Sequence, residues 1–280
     1  MINATELMKK LIIPVLAAIA LMASSCDKVN ADFTLKGQVK SFSFRAYMGE
    51  EKNVHGGSDY TYAFDDYGHF TSITTQEYTS AVSSDGKWSL QTMGDKVVST
   101  FSWEDQKVSV QSSDNSSMTL FFDADYRLAN GHFDYPDSDP VYFECTYFDG
   151  KLATYTTRHD AREATTLELT WEGEDIVKAN YAGSEDYYFE FEYSQEDNLF
   201  KDILDVSLLS APVSLPQFLA YGMCGPRPAH KIVNVKTVSN YGGVTTTFAE
   251  TPIYTLSGGK VSKIAYNGNP LLEYSITYYK

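Results

Sequence analysis

One pattern recurs along most of this chain. A stretch of alternating apolar and polar side chains, rich in aromatics, meets a turn of Asp and Gly and returns as a second alternating stretch. The clearest instance covers residues 166–171, a turn at 172–175, residues 176–181, a short loop, and residues 187–193. Leu167, Leu169 and Trp171 alternate with Glu168 and Thr170; Tyr187, Phe189, Phe191 and Tyr193 alternate with Tyr188, Glu190 and Glu192. A period of two belongs to strands. Folding about Gly173 sets Leu169 opposite Val177 and Glu168 opposite Lys178. Folding about Ser184 sets Ala179 opposite Phe189 and Lys178 opposite Glu190. All three strands then agree on their apolar face, and Lys178 lies between two glutamates.

The plan repeats. A turn at 65–68 joins residues 60–64 to 69–73, one at 123–125 joins 120–122 to 126–128, one at 149–150 joins 142–148 to 151–153, and one at 257–259 joins 254–256 to 260–264. Residues 39–47 read as a first strand. Weaker pairs turn at Asp85-Gly86, Gly94-Asp95 and Glu104-Asp105, and the polar stretch around Gly56-Gly57-Ser58-Asp59 reads as a loop. Gly recurs at the tips because it accepts positive φ, and Asp because it bonds its own backbone. From Asp125 to Gly150, Gly173 and Asp197 the steps are 25, 23 and 24 residues, the length of two strands and two turns. With 21 Tyr and 16 Phe against 3 Trp, composition favours strands over helical bundles. About 15–18 strands are expected at the usual length.

The expected fold is all-β. An antiparallel up-and-down β-meander of hairpins curls into a closed or nearly closed barrel, and residues 39–280 form this single domain. One short helix is expected near 215–222, with Ser214 as its cap, Pro216 in its first turn and Gly222 at its close. An irregular loop then runs to His230 and covers an end or an edge of the sheet.

The N-terminus reads as an address. Met8-Lys9-Lys10 is charged, Leu11 opens an apolar run of twelve residues ending at Met22, and Ala23-Ser24-Ser25 precedes Cys26. The run is too short to cross a bilayer core of ~30 Å as a helix. Residues 1–25 are therefore a secretory signal with a cleavage site. It resembles a bacterial lipoprotein signal, which makes Cys26 the acylated residue and the mature N-terminus; Ala23 stands where leucine is usual. Residues 26–38 are a tether. Asp27 resembles an inner-membrane retention mark by one bacterial code and a surface-export mark by another, and the sequence does not choose between them.

The tyrosine-rich strand, Asp/Gly turn and basic-apolar return look like the tyrosine-aspartate repeats of secreted wrapping proteins. More closely, the whole plan resembles a family of gut-bacterial lipoproteins of unassigned function with a porin-like fold. The features that carry this are Cys26 with its signal, the hairpins at 65–73, 149–153 and 258–264, and the interruption from Phe218-Leu219 to Gly225. The resemblance spans most of residues 39–280. It implies a porin-like β fold and brings no catalytic residues.

The residues themselves offer little chemistry. No His-Glu-x-x-His, Cys-x-x-Cys, phosphate-binding glycine loop or Gly-x-Ser-x-Gly elbow occurs. His55, His69, His132, His159 and His230 are scattered and read as plain surface histidines. Asp134, Asp137 and Asp139 crowd one loop but lack the glycine and closing glutamate of a calcium loop, so they read as solvated. Glu190 and Glu192 share a face near Glu168, and carboxylates about 5–9 Å apart serve glycoside hydrolysis. Lys178 among them points instead to a solvent-facing charge ladder. Cys145 alternates with Phe143 and Tyr147 and should face inward; a disulfide to Cys224 stays open. No catalytic residue, metal or cofactor is assigned, and the ligand-binding residues stay unassigned.

The formal charge is −15 at pH 7, which disfavours DNA, RNA and anionic lipid as partners. The expectation is a monomeric, non-enzymatic protein anchored to the outer membrane through the lipid on Cys26, at the cell surface or the periplasmic face. It would bind or scaffold, with a glycan or another envelope protein as partner. A glycan-active enzyme using surface carboxylates and a barrel that itself spans the outer membrane are the alternatives.

Overall fold

The computed structural model describes residues 39–48, 53–66, 69–83, 86–136, 138–159, 163–182, 186–198, 223–241, 244–266 and 271–280. The expected signal, Cys26, the tether and the helix near 215–222 lie outside them, as does Asp137. The described residues form seventeen strands: β1 (Val39–Met48), β2 (Val54–Phe64), β3 (Phe70–Val82), β4 (Trp88–Glu104), β5 (Lys107–Ser112), β6 (Ser117–Phe122), β7 (Leu128–Tyr135), β8 (Ser138–Phe148), β9 (Lys151–His159), β10 (Thr165–Glu172), β11 (Asp175–Tyr181), β12 (Tyr187–Asp197), β13 (His230–Tyr241), β14 (Val244–Glu250), β15 (Pro252–Ser257), β16 (Lys260–Tyr266) and β17 (Leu271–Tyr278). There is no helix among them.

The expected meander is present. Apart from β14 and β15, each strand pairs antiparallel with its neighbour in sequence, and β1 pairs antiparallel with β17, which brings the first and last described strands together. Among the described residues the circuit of ladders is interrupted at one place: β14 pairs with β13 and β15 with β16, and no ladder joins β14 to β15. Parity explains the interruption. In a ring of strictly alternating strands, the first and seventeenth would run parallel. They run antiparallel because β14 and β15, separated only by Thr251, are two halves of one path in one direction. The first half pairs with β13 and the second with β16. The start of β13 nonetheless lies beside β15, with the Lys231 ammonium 4.9 Å from the centre of the Tyr254 ring. Pro252 sits at the handover, where a missing N–H costs the ladder least.

Alternation sorts the connections to two ends. The near end, where β1 begins, holds the tight turns. At 149–150, Asp149 and Gly150 both take positive φ (50° and 73°), the two-residue turn that matches strand twist. Asp123 accepts from the backbone N of Asp125 and Arg127 at 2.9 Å, and from Arg127 Nε at 2.9 Å. Burial raises its pKa, but these bonds outweigh burial and hold it below the usual carboxylate range.

A second device repeats at the near end. An aromatic near the end of one strand donates to a carbonyl at the start of the preceding strand. Trp103 Nε1 donates to Phe70 O, Tyr147 Oη to Leu128 O, Trp171 Nε1 to Leu152 O, Tyr193 Oη to Ile176 O and Tyr278 Oη to Val261 O, at 2.7–2.9 Å. In three of these the residue before the acceptor is basic, and its cation covers the ring: Arg127 over Tyr147, Lys151 over Trp171, Lys260 over Tyr278. The return strand opens basic-then-apolar for that reason. The basic residue roofs the aromatic, and the apolar one enters the core while its carbonyl accepts.

The apolar faces form one interior. Ile73, Val108, Leu120, Leu128, Leu152, Tyr155, Leu167, Ile176, Ile232 and Ile264, drawn from strands all round the ring, are each 0% exposed and belong to one cluster. Porin rings of about 16–18 strands leave an aqueous channel; here the inward face is packed. The outward face carries many hydroxyls and charges, with exposed apolar side chains such as Phe121, Tyr142 and Ile253 among them. Thr146 bonds Thr154 at 2.6 Å, Thr156 bonds Thr166 at 2.8 Å, Asn180 Nδ2 donates to Glu168 at 2.9 Å, and Lys236 pairs with Glu190 at 2.7 Å.

Three expectations need correcting. Leu169 lies opposite Ala179 and Glu168 opposite Asn180, two residues from the expected pairs. The turn holds only Gly173 and Glu174, and Val177 is left out of the ladder as a bulge. Each shifts the register by one; together they restore every side chain to its expected face. Lys178 therefore faces Thr170 and Glu190, with its ammonium 4.2 Å from the centre of the Tyr188 ring. Ala179 opposite Phe189 and Lys178 opposite Glu190 are as expected. Second, Gly94-Asp95 is no turn. Both residues oppose Glu77 as a bulge inside the long strand β4. Third, Gly56 to Asp59 is no loop but lies within β2. The irregular segment 223–229 does cover an end, the near one. Met223 O accepts from Leu128 N at 2.6 Å and Glu174 O accepts from Ala229 N at 3.2 Å.

Candidate functional site

The residues singled out in the sequence do not converge. Glu168, Glu190 and Glu192 lie on the outward face, with Glu190 paired to Lys236 and Glu168 bonded to Asn180. Asp134 accepts from Ser117 Oγ at 3.1 Å and lies 3.3 Å from His132 Nε2. No group of three His, Cys, Asp or Glu among the described residues is arranged to hold a metal. His69 bonds Asp65 at 3.0 Å and stacks on Trp103. His159 ends β9, half-buried. His230 bonds Asp175 through Nδ1 at 2.7 Å, and that bond raises its pKa. These four serve the framework or the surface.

His55 departs from the surface reading. It is 6% exposed, and its Nδ1 is buried without a hydrogen-bond partner. It lies on the outward face of β2, opposite Tyr47 on β1 and Ser80 on β3. Rings bury it. Trp88 is 4.5 Å away between centres, Tyr47 5.2 Å, and Tyr78 5.6 Å and edge-on; Tyr47 and Trp88 meet at 5.8 Å, also edge-on. The local sequence makes this arrangement. Gly57 lies opposite Tyr78, and a Cβ there would come 2.9 Å from the Tyr78 hydroxyl and clash with Phe44 O. Bare backbone at Gly57 lets the Tyr78 ring lie across β2. Arg45 Nε then donates to Tyr78 Oη at 3.0 Å.

The result is an aromatic platform on the outside of the barrel. Trp88 is 44% exposed, and Leu90 at 53% and Met93 at 58% continue it along β4. Polar groups flank it: Glu273 takes Lys263 at 2.6 Å and Arg45 at 4.0 Å. Burial first, and the Arg45 charge second, hold the His55 pKa below its ordinary value, so the imidazole is neutral at pH 7. A neutral imidazole, exposed ring faces and a charged rim can stack a flat apolar surface and hydrogen-bond its edges. The platform sits at the far end. Tyr47 is eight residues along β1 from Val39, about 26 Å from the end where the chain enters the barrel.

The sequence reading missed Tyr47, Tyr78 and Trp88 and took His55 for a plain surface histidine. Glycines next to His55 imitate a loop, and Trp88 sits just after a turn with no alternating run before it.

A scan against protein-family models finds no match, and a comparison with curated protein sequences finds none. Solved structures do match. A porin-like protein from Bacteroides uniformis ATCC 8492 aligns with a TM-score of 0.64 at 12% identity, over 87% of this chain and 99% of that one. A porin-like protein from Bacteroides vulgatus ATCC 8482 aligns with a TM-score of 0.55 at 10% identity, over the same shares of the two chains. The likeness is one of fold: this chain has the antiparallel meander of those porin-like proteins.

Proposed function

We propose that this chain is a lipid-anchored, non-enzymatic protein of the outer membrane, acylated at Cys26, whose barrel stands in water and binds a glycan on the Tyr47–His55–Tyr78–Trp88 platform. One observation carries the reading. On the outward face at the far end Tyr47, Tyr78 and Trp88 close around a buried neutral histidine, and Trp88 presents its ring to solvent at 44% exposure. A chain held by its N-terminal lipid enters the barrel at the near end, so the platform points away from the membrane. The charge of −15 disfavours an anionic partner. The polarised C–H face of a neutral sugar fits an aromatic surface, and its hydroxyls fit the rim of Arg45, Glu273 and Lys263. Tyr78 is the structural member, laid over Gly57; Trp88 is the contact.

Affinity electrophoresis against a panel of neutral polysaccharides tests this. At least one should retard the protein, and Trp88→Ala should weaken that binding about tenfold or more with the melting midpoint unchanged. In fractionated cells Cys26→Ala should move the protein from membrane to soluble fractions. Unretarded migration on every polysaccharide, or equal retardation of Trp88→Ala, overturns the glycan assignment. Release of reducing ends that disappears on Glu190→Gln would replace it with a hydrolase.

A further inference from the structure

The segment 223–229 is pinned across the near end at both of its termini. Besides the Met223 and Ala229 backbone bonds, Asn198 Nδ2 donates to Pro228 O at 3.1 Å. Gly225 passes so close over the 149–150 turn that a Cβ there would lie 2.8 Å from Gly150 O. Between these points sits Cys224, 0% exposed. The Cys145 thiol and the Tyr147 hydroxyl are the groups that act on it, and a Cβ on the next residue, Gly225, would lie 3.9 Å from the Tyr147 ring. Cys145 faces inward from β8, opposite Tyr155, and is itself buried. Two thiols seventy-nine positions apart in the chain, both free in this structure, thus lie in one buried cluster beside Tyr147, each on backbone fixed by hydrogen bonds.

We propose that Cys145 and Cys224 are joined as an intramolecular disulfide that fastens the 223–229 segment across the end of the barrel. Other uses of the pair fit the site poorly. Burial pushes the Cys224 thiol well above its ordinary pKa, so it is no nucleophile in the folded chain. A metal would need further ligands, and no group of three is present among the described residues. A bond closing so long a loop restricts the unfolded chain most, and here it would tie the 223–229 segment to β8.

The step is a thiol–disulfide exchange with a donor disulfide, either a small molecule or a dithiol oxidant. One cysteine thiolate attacks the donor and expels one donor thiolate, leaving a mixed disulfide. The second cysteine thiolate attacks the sulfur of the first and expels the other. Two electrons pass to the donor, and the two protons released by the cysteines end on its thiols. Because Cys224 is sealed once the segment docks, the exchange belongs to folding, before docking.

The test uses the full chain, reduced, unfolded and refolded in a buffer of oxidised and reduced glutathione. The product is quenched in acid, alkylated while denatured and without reductant, and digested. The expected product is one linked peptide pair containing Cys145 and Cys224, with neither alkylated. Excess reductant should lower the melting midpoint by about 10 °C, and Cys145→Ser and Cys224→Ser should each abolish that dependence on reductant. Alkylated Cys145 and Cys224 after oxidation, linkage of either to Cys26, or a wild-type midpoint indifferent to reductant overturns the proposal. The glutathione buffer makes the outcome independent of where in the cell the protein resides.

Discussion

Phe191→Ala should lower the melting midpoint by about 10 °C, while the neighbouring Glu190→Ala lowers it by about 2 °C or less. Phe191 is 5% exposed, faces inward and lies opposite the buried Val235. Truncating a buried Phe removes its transfer free energy and leaves a cavity, together about 3–5 kcal/mol. In a domain of this size each kcal/mol moves the midpoint by about 2–4 °C. Glu190 is one position away on the opposite face. Its pair with Lys236 is short, at 2.7 Å, but both side chains are more than a third exposed. Such pairs contribute about 0–1 kcal/mol. Thermal melts of the two variants measure the contrast directly. Equal shifts would mean that the faces of β12 are assigned the wrong way round.

The second large effect is expected at Gly131. Gly→Ala in a strand is ordinarily mildly stabilising, because glycine loses more backbone freedom on folding. At Gly131 the sign should reverse. An added Cβ would lie 2.5 Å from the Phe143 ring and would also clash with Thr119 O on β6. The ring cannot retreat, since it stacks on Tyr155 at 5.6 Å and Tyr155 is fully buried behind it. Overpacking of this kind costs about 1–3 kcal/mol. Gly94→Ala is the control. Its nearest neighbour is Glu77 O at 3.5 Å, an ordinary contact, so its midpoint should stay within a few degrees of wild type. A Gly131→Ala midpoint at or above wild type would mean that Phe143 does not lie across that strand.

What the sequence made legible follows from where physics leaves a local mark. The hairpins from β8 to β12 could be read because one buried face imposes strict alternation and a Gly or Asp marks each turn. Their faces could be read more firmly than their register. A face needs only the parity of the pairing, whereas register also depends on a bulge at Val177 that no residue type announces. The aromatic locks were partly visible, since Trp103, Tyr147 and Trp171 each stand two positions before a tight turn. Their acceptor carbonyls belong to the preceding hairpin strand and could not be read. Two segments misled for one reason. Gly94-Asp95 and Gly56-Gly57 have turn composition, yet both sit inside strands: the first as a bulge, the second because Tyr78 needs bare backbone beneath it. That second misreading hid the platform, because its buried histidine lies in what reads as a loop. The joining of β14 and β15 was illegible too; it follows from closing the ring antiparallel, a condition on the whole chain.

The orientation of the sheet supports the proposal that the barrel stands in water. A barrel facing lipid turns its apolar band outward, and a charge at mid-bilayer opposes insertion, by up to about 2–4 kcal/mol for a basic residue and less for an acidic one. Here Leu167, Ala179, Phe189 and Phe191 are inside, while Glu168 and Glu192 on the same strands are exposed. The most direct measurement is to produce residues 39–280 without the signal and Cys26, purify them with no detergent, and record light scattering and a thermal melt on one sample. A monodisperse monomer that melts cooperatively is the predicted result. A chain that aggregates in buffer and holds its fold only in micelles would contradict it.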